Sequence, residues 1–203
     1  ITVFGSALYI IGDNMRNDDV TASGGDDVID LFGTAISVIG DGIYDDQSTA
    51  DHGGDDIITI HEGATTDFVY ADVILSPIAG SSGGDDIITI AGTVTDRVSG
   101  DEISAGSGGD DSIVVASTGI VGHGEALDGI YGDYEYDGSN TTYGGKDSIL
   151  VNGQVKGSIW GDYTDNGAND EIFIGVAGLV EKDIFGDWIL DESGSNGTDH
   201  IDI

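Results

Sequence analysis

The chain has 203 residues, of which 39 are acidic and 5 are basic, and its formal net charge at neutral pH is −34. Nucleic acid and anionic membrane surfaces would repel so negative a chain, so neither is an expected partner. The chain has no cysteine and one proline, which excludes a disulfide scaffold, and no apolar run is long enough to span a bilayer. Apolar residues make up 38% of the chain and alternate along it, which argues against a disordered acidic segment.

A first strand pattern recurs along the whole chain. Gly-Gly-Asp-Asp stands at residues 24–27, 53–56, 83–86 and 108–111, and looser versions stand at 146–147, 169–170 and 198–199. Two and four residues after the last aspartate of each copy there is an aliphatic residue, as Ile58 and Ile60 follow Asp56. This alternation predicts a short strand with one buried face.

A second strand pattern follows each copy of the first. An aliphatic residue stands three positions before an aspartate, and the residue directly before that aspartate is glycine in every copy except one, where it is Ala71. The aspartates of this second set are Asp13, Asp41, Asp72, Asp101, Asp133, Asp162 and Asp187. One repeat therefore reads as strand, turn, strand, turn.

The two patterns together predict an all-β solenoid. Successive aspartates of the first set are 23 to 36 residues apart, so the strands are constant and the loops vary, as in stacked repeats. We expect a right-handed parallel β-roll or β-solenoid of about seven coils with two short strands per coil. Residues 1–203 should form a single domain, which we expect to be part of a larger exported protein with neighbouring domains. Residues 1–13 are expected to supply only a second strand.

Stacking places the aspartates in files with neighbours about 4.8 Å apart, where two like charges repel by roughly 1 to 4 kcal/mol. Cations must offset this repulsion. The adjacent glycines let backbone carbonyl oxygens face the same centre, and carboxylate and carbonyl oxygens are the ligands of hard cations. Calcium accepts about six to eight oxygens in a flexible geometry, so the sequence predicts several Ca²⁺ ions in the Gly/Asp-rich turns.

These turns resemble the glycine- and aspartate-rich nonapeptides of the RTX (repeat-in-toxin) family, whose calcium-binding β-rolls belong to bacterial proteins exported by type I secretion. Here the glycines directly precede Asp-Asp, and the coil is longer than two nonapeptides. The resemblance implies a secreted or cell-surface protein and a non-catalytic domain that folds on calcium binding. It also implies a ligand role for Asp27, Asp56, Asp86, Asp111, Asp147, Asp170 and Asp199.

The predicted ligand set is wider than these two files. It includes the first aspartates of the Gly-Gly-Asp-Asp copies, which are Asp26, Asp55, Asp85 and Asp110. Residues 133–138 read D-x-E-x-D-G, like the opening of an EF-hand calcium loop, and add Asp137. Shorter versions of that loop add Asp165 and Asp191. The EF-hand fold itself is excluded, because the twelfth position is Gly144 and no helices flank the loop.

Aromatic residues flank the Gly-Asp pair in the last three coils. Tyr131, Trp160 and Phe185 precede it, and Tyr134, Tyr163 and Trp188 follow it. We expect two aromatic files along the stack that serve structural packing, with a stacking platform for sugar rings as the alternative.

Other function classes receive less support. Residues 80–84 match the G-x-S-x-G nucleophile elbow but lack the following helix that this elbow needs. The four histidines show no zinc-ligand spacing. Two alternatives stay open: a polysaccharide epimerase or lyase on a parallel β-helix, and an ice- or carbohydrate-binding solenoid. The last requires a file of threonine or asparagine; Thr59 and Thr89 match it, and it is interrupted by Asp30, Ser112, Ser148, Glu171 and Asp202.

Overall fold

The structure is a computed structural model that describes residues 1–15, 23–44, 50–75, 78, 80–125, 127–136, 141–190 and 193–203. Twenty strands lie in these ranges, and every strand pairing between them is parallel. Within the described ranges no helix is long and apolar enough to cross a membrane. The predicted all-β parallel solenoid is confirmed.

The first sheet stacks the strands that follow the Gly/Asp turns. In stacking order they are β1 (Thr2–Val3), β3 (Val28–Leu31), β5 (Ile57–Ile60), β7 (Ile87–Ile90), β10 (Ser112–Val115), β14 (Ser148–Val151), β17 (Glu171–Ile174) and β20 (His200–Asp202). The expectation that residues 1–13 supply only a second strand is wrong, because Thr2 pairs with Asp30 and Val3 with Leu31. A strand as short as β1, without a preceding Gly-Gly-Asp-Asp, gave no signal in the sequence.

The second sheet stacks the longer strands that carry Gly-Asp. They are β2 (Tyr9–Met15), β4 (Ser37–Ile43), β6 (Thr65–Ile74), β8 (Thr93–Ile103), β12 (Gly129–Glu135), β16 (Ser158–Tyr163) and β19 (Ile184–Asp187). The first residues of β8 also pair with a series of two-residue strands. In stacking order these are β11 (Ile120–Val121), β15 (Gln154–Val155) and β18 (Leu179–Val180). A third sheet pairs β9 (Gly106–Ser107) with β13 (Thr142–Tyr143).

The core lies between the first two sheets. In β5, Ile58 and Ile60 are fully buried, whereas Ile57 is exposed on the outer face. The same alternation in the other coils joins the inward aliphatic residues of both sheets into one continuous cluster. A separate cluster of Ile43, Ile74 and Ile103 lies beyond the Gly-Asp pair. The strict period of two therefore produces a core that runs the length of the stack.

In each strand of the second sheet, the residue before the Gly-Asp aspartate stays out of the pairing, and we call this irregularity the bulge. In β12 and β16, Tyr131 pairs with Trp160 and Asp133 with Asp162, but the glycines between them are not paired. Tyr131 and Tyr134 pack edge-on with their ring centroids 5.1 Å apart, so they share one face. An uninterrupted strand would place residues with an odd separation on opposite faces. The register is the same on both sides of the bulge, so neither strand carries an extra residue, and the backbone there turns both the glycine and the aspartate inward.

The predicted loop at residues 133–138 begins as strand. Asp133 to Glu135 belong to β12, and the Thr142 hydroxyl donates a hydrogen bond to the buried Glu135 carboxylate at 2.5 Å. Asp137 lies outside the described residues, so the oxygen cage predicted there stays a prediction.

Candidate metal centres

The two aspartate files meet in a single buried row. The second aspartate of a Gly-Gly-Asp-Asp turn lies with the Gly-Asp aspartates of two consecutive coils, and one carboxylate oxygen from each is within 4.8 Å of the others. Six groups of side chains that could hold a metal ion are present among the described residues. Five are Asp13–Asp27–Asp41, Asp41–Asp56–Asp72, Asp72–Asp86–Asp101, Asp101–Asp111–Asp133 and Asp133–Asp147–Asp162. Each inner Gly-Asp aspartate belongs to two groups, so the row is continuous.

From Asp41 to Asp187, one oxygen of each carboxylate in the row accepts a hydrogen bond from a backbone amide. The Asp86 amide donates to Asp111 Oδ1 at 2.8 Å, and the Asp111 amide donates to Asp147 Oδ1 at 2.8 Å. In the other file, Asp101 Oδ2 accepts from the amide of Gly109 at 2.7 Å. The aspartates therefore fix the turn backbone of one coil against the next, which the sequence pattern did not reveal.

The second oxygen of each of these eleven carboxylates is buried and has no hydrogen-bond partner among the described residues. These atoms are Asp41 Oδ1, Asp56 Oδ2, Asp72 Oδ1, Asp86 Oδ2, Asp101 Oδ1, Asp111 Oδ2, Asp133 Oδ1, Asp147 Oδ2, Asp162 Oδ1, Asp170 Oδ2 and Asp187 Oδ1. A buried carboxylate oxygen without a partner is strongly destabilising unless a cation or a proton compensates it. The same arrangement repeats in coil after coil, so it is a property of the site and not a local irregularity.

Without a cation the row favours the protonated carboxyl. Burial is the largest cause, and it raises the pKa of Asp41 to about 6, of Asp56 to about 7 and of Asp162 to about 9. The pKa values of Asp101 and Asp133 are also raised well above the ordinary range, by burial and then by the neighbouring aspartates. A folded, cation-free molecule would therefore hold several protons along the row at neutral pH.

The bulge glycines make room for the carboxylates. A Cβ atom added to Gly132 would lie 1.7 Å from Asp147 Oδ2 and 2.4 Å from the carbonyl oxygen of Gly161. The same glycine does not have a positive φ, so space and not backbone conformation excludes a larger residue. A carboxylate oxygen and a backbone carbonyl oxygen thus both lie close to this glycine. An all-oxygen set of this kind suits a hard cation.

Other predicted ligands lie apart from the row. Asp26, Asp55, Asp85 and Asp110 are exposed and form a ladder of their own, in which Asp85 Oδ1 accepts from the Asp110 amide at 2.9 Å. Asp165 is half-buried and pairs with Thr142. Asp199, at the end of the row, accepts from the Asp170 amide at 3.1 Å. Asp191, like Asp137, lies outside the described residues.

The aromatic residues form the two predicted files. The rings of Tyr131 and Trp160 stack at 4.5 Å and those of Trp160 and Phe185 at 6.0 Å. In the second file, Tyr163 stacks between Tyr134 at 5.3 Å and Trp188 at 6.4 Å. Because each inner ring has a protein ring on both faces, it offers no open face to a sugar. These contacts favour the packing role over the sugar platform.

A partly buried arginine, Arg97, fills a gap in this aromatic surface. The file between Tyr70 and Tyr131 contains the small Ser99. The Arg97 guanidinium donates to the Tyr70 hydroxyl at 3.0 Å and to Glu102 at 2.8 Å, and it lies 4.2 Å from the centroid of the Tyr134 ring. Sequence patterns gave no signal for this cluster, because the interaction joins residues of three different coils. The guanidinium is occupied by structural contacts.

The G-x-S-x-G segment is not arranged as a nucleophile elbow. His52 Nδ1 lies 2.9 Å from the Ser82 hydroxyl, a pair that the sequence did not predict. The amide of Gly83 donates to Ser107 and the amide of Gly84 to Asp72, however, so neither is free to stabilise an oxyanion at Ser82.

The threonine file is shorter than an ice-binding surface requires. Thr59 and Thr89 are neighbours on the outer face of the first sheet, but the file continues through Val114, Leu150 and Phe173. We expected Ser112, Ser148 and Glu171 to interrupt this file. They lie instead in the adjacent file, which Ser112 joins by pairing with Ile87.

Comparison of the chain with models of protein families, with curated proteins and with solved structures finds no match.

Proposed function

We propose that the chain is a calcium-binding structural repeat domain of a secreted or cell-surface bacterial protein of the RTX type, and that it folds on binding calcium. One observation carries the proposal: every inner aspartate of the row has one oxygen bound to backbone and a second buried oxygen with no partner among the described residues. A row of such oxygens is a row of candidate cation ligands, since uncompensated buried charge opposes folding.

The charge of the row supports a divalent ion. Each coil contributes two aspartates to it, one from each file, so one divalent ion per coil balances their charge. Oxygens bound to one Ca²⁺ at about 2.3–2.6 Å can be at most about 5 Å apart. One oxygen from each aspartate of a group lies within 4.8 Å of the others, so a single ion can contact all three. Magnesium requires shorter distances and a strict octahedron, which three shared carboxylates and a carbonyl do not supply. Calcium is therefore the proposed ion, with about one per group.

Folding on calcium follows from the same charges. In the unfolded chain the carboxylates are far apart, and they come together only in the stack, so the free energy of calcium binding appears as free energy of folding. The export route and the extracellular location rest on the resemblance of the turns to the RTX nonapeptides. We assign the domain no reaction, because Arg97 and the amides that follow Ser82 are engaged in structural contacts.

Circular dichroism and equilibrium dialysis test the proposal together. In EGTA at neutral pH and low salt we expect a largely disordered far-UV spectrum, which changes to a β spectrum at millimolar calcium with about six ions bound. Millimolar magnesium should not substitute. A complete β spectrum in EGTA under these conditions, or a folded protein that binds no calcium, would overturn the proposal.

A further inference from the structure

The residue at the bulge position, directly before each Gly-Asp aspartate, is not the same in every coil. It is glycine at residues 12, 40, 100, 132, 161 and 186, and it is alanine at residue 71. Ala71 is fully buried and lies in β6, directly before Asp72. Its methyl group therefore lies on the inner side of the strand, where the other coils have only a hydrogen atom.

The glycines show what this methyl group must meet. A Cβ atom added at Gly40 would lie 1.7 Å from Asp56 Oδ2, and one added at Gly100 would lie 1.7 Å from Asp111 Oδ2. Carbon and oxygen atoms that are not bonded stay more than about 3 Å apart. In the coil of Ala71 the equivalent carboxylate is that of Asp86, so its oxygen must lie about 1 Å or more from the position that the other coils use.

The hydrogen bond of Asp86 agrees with such a shift. The amide of Asp56 donates to Asp86 Oδ1 at 2.5 Å, whereas the equivalent bonds to Asp56, Asp111 and Asp147 are 2.7 to 2.8 Å long. The carboxylate thus lies closer to the amide of the preceding coil, and Asp86 Oδ2 is still buried without a partner among the described residues.

We propose that Ala71 makes Asp72–Asp86–Asp101 the weakest calcium site of the row. This inference rests on the proposed function. Calcium ligands lie within a window of only about 0.3 Å, so an oxygen moved by about 1 Å leaves the ion or draws it away from its other ligands. The weak site separates Asp13–Asp27–Asp41 and Asp41–Asp56–Asp72 on its N-terminal side from Asp101–Asp111–Asp133 and Asp133–Asp147–Asp162 on its C-terminal side. The row therefore fills in two stages, with the Ala71 site last.

The test removes the methyl group. Calcium binding is measured by equilibrium dialysis for the full chain, for Ala71→Gly and for Ala64→Gly, a control that removes a methyl from the main core of the same coil. The unchanged chain should bind about five calcium ions tightly and one about tenfold more weakly, the size of effect that altering a ligand's support produces. In Ala71→Gly all six should bind tightly. In Ala64→Gly the weak site should persist.

The converse variant is Gly132→Ala, which places a methyl against Asp147 and should create a second weak site. If Gly132→Ala does not fold, Ala71→Gly alone decides, because glycine in a strand lowers stability and a gain in affinity then has no generic explanation. Six ions bound with the weak site unchanged in Ala71→Gly would overturn this inference and leave the proposed function intact. A folded chain that binds no calcium would overturn both.

Discussion

The shared carboxylates of the row predict that the effect of replacing an aspartate depends on how many metal groups it belongs to. Asp101 belongs to two groups, Asp86 to one, and the exposed Asp85 to none. Replacing each by asparagine keeps the size of the side chain and leaves an amide oxygen to accept the backbone hydrogen bond, so the variants differ in lost charge. Weakening one site by about 10- to 100-fold costs about 1.4–2.7 kcal/mol of calcium-bound stability. We expect roughly that loss for Asp86→Asn, about twice that for Asp101→Asn, and almost none for Asp85→Asn.

The sign should reverse when calcium is removed. Without a cation the Asp101 carboxylate is repelled by Asp72 and Asp133, so its neutral replacement favours the folded state. The assay is urea unfolding followed by the fluorescence of the buried Trp160, in saturating calcium and again in EGTA with ammonium sulfate added to favour folding. Asp101→Asn should be the least stable of the three variants in calcium and the most stable in EGTA. Equal losses for Asp86→Asn and Asp101→Asn, or no reversal in EGTA, would refute the shared-ligand row.

Three further predictions follow from the same geometry. Burial raises the pKa of Asp41 to about 6 and of Asp56 to about 7, so the cation-free fold binds more protons than the unfolded chain. The stability of the cation-free fold should therefore be greatest below about pH 4 and be lost as the pH rises through 6 to 7, and calcium should prevent this loss. Circular dichroism in EGTA from pH 4 to pH 8 measures it. Ile149→Ala opens a cavity in the core and should lower the free energy of unfolding by about 2–5 kcal/mol in urea at any calcium concentration. Asp147→Ala should instead raise the calcium concentration needed for folding. Rescue of Ile149→Ala by saturating calcium would contradict this division between core and ligand residues. In the same calcium titration Asp147→Ala should shift the midpoint far more than Asp199→Ala, because Asp199 is less buried and lies at the end of the row, and equal shifts would argue against a linear stack.

The sequence was sufficient to predict the main strands of the two large sheets, except β1, and the core between them. Alternation of Ile58 and Ile60 with outward residues needs only the two-residue period of a strand, and that period recurs in every coil. Parallel stacking followed because a repeat of this length cannot bury its aliphatic face alone. The same reasoning predicted the aromatic files, since a fixed position in each coil becomes a column when the coils stack.

The sequence could not show how the two aspartate files meet. Their separation depends on the bulge at Gly-Asp, which is visible only in the pairing of one strand with the next. Simple alternation places Asp133 and Tyr131 on one face and Tyr134 on the other, whereas the bulge sends Asp133 inward and leaves both tyrosines outward. The sequence did distinguish Asp85, which is exposed, from Asp86, which is buried in the row, because Asp86 shares the strand parity of the buried Ile88 and Ile90. The predicted ligand set included both aspartates because it did not apply this parity to the turn.

The variable loops of the solenoid give it a modular character. Consecutive aspartates of the row, such as Asp111 and Asp147 or Asp147 and Asp170, are joined by backbone hydrogen bonds of nearly equal length although 36 and 23 residues separate them in the chain. Closing the longer loop costs well under about 1 kcal/mol more than closing the shorter one, because closure entropy grows only with the logarithm of length. The spacing of the aspartates along the solenoid therefore does not depend on the length or sequence of the loops that connect the strands. An insertion or deletion in one loop should change the surface of the solenoid and leave the carboxylates of the row in place.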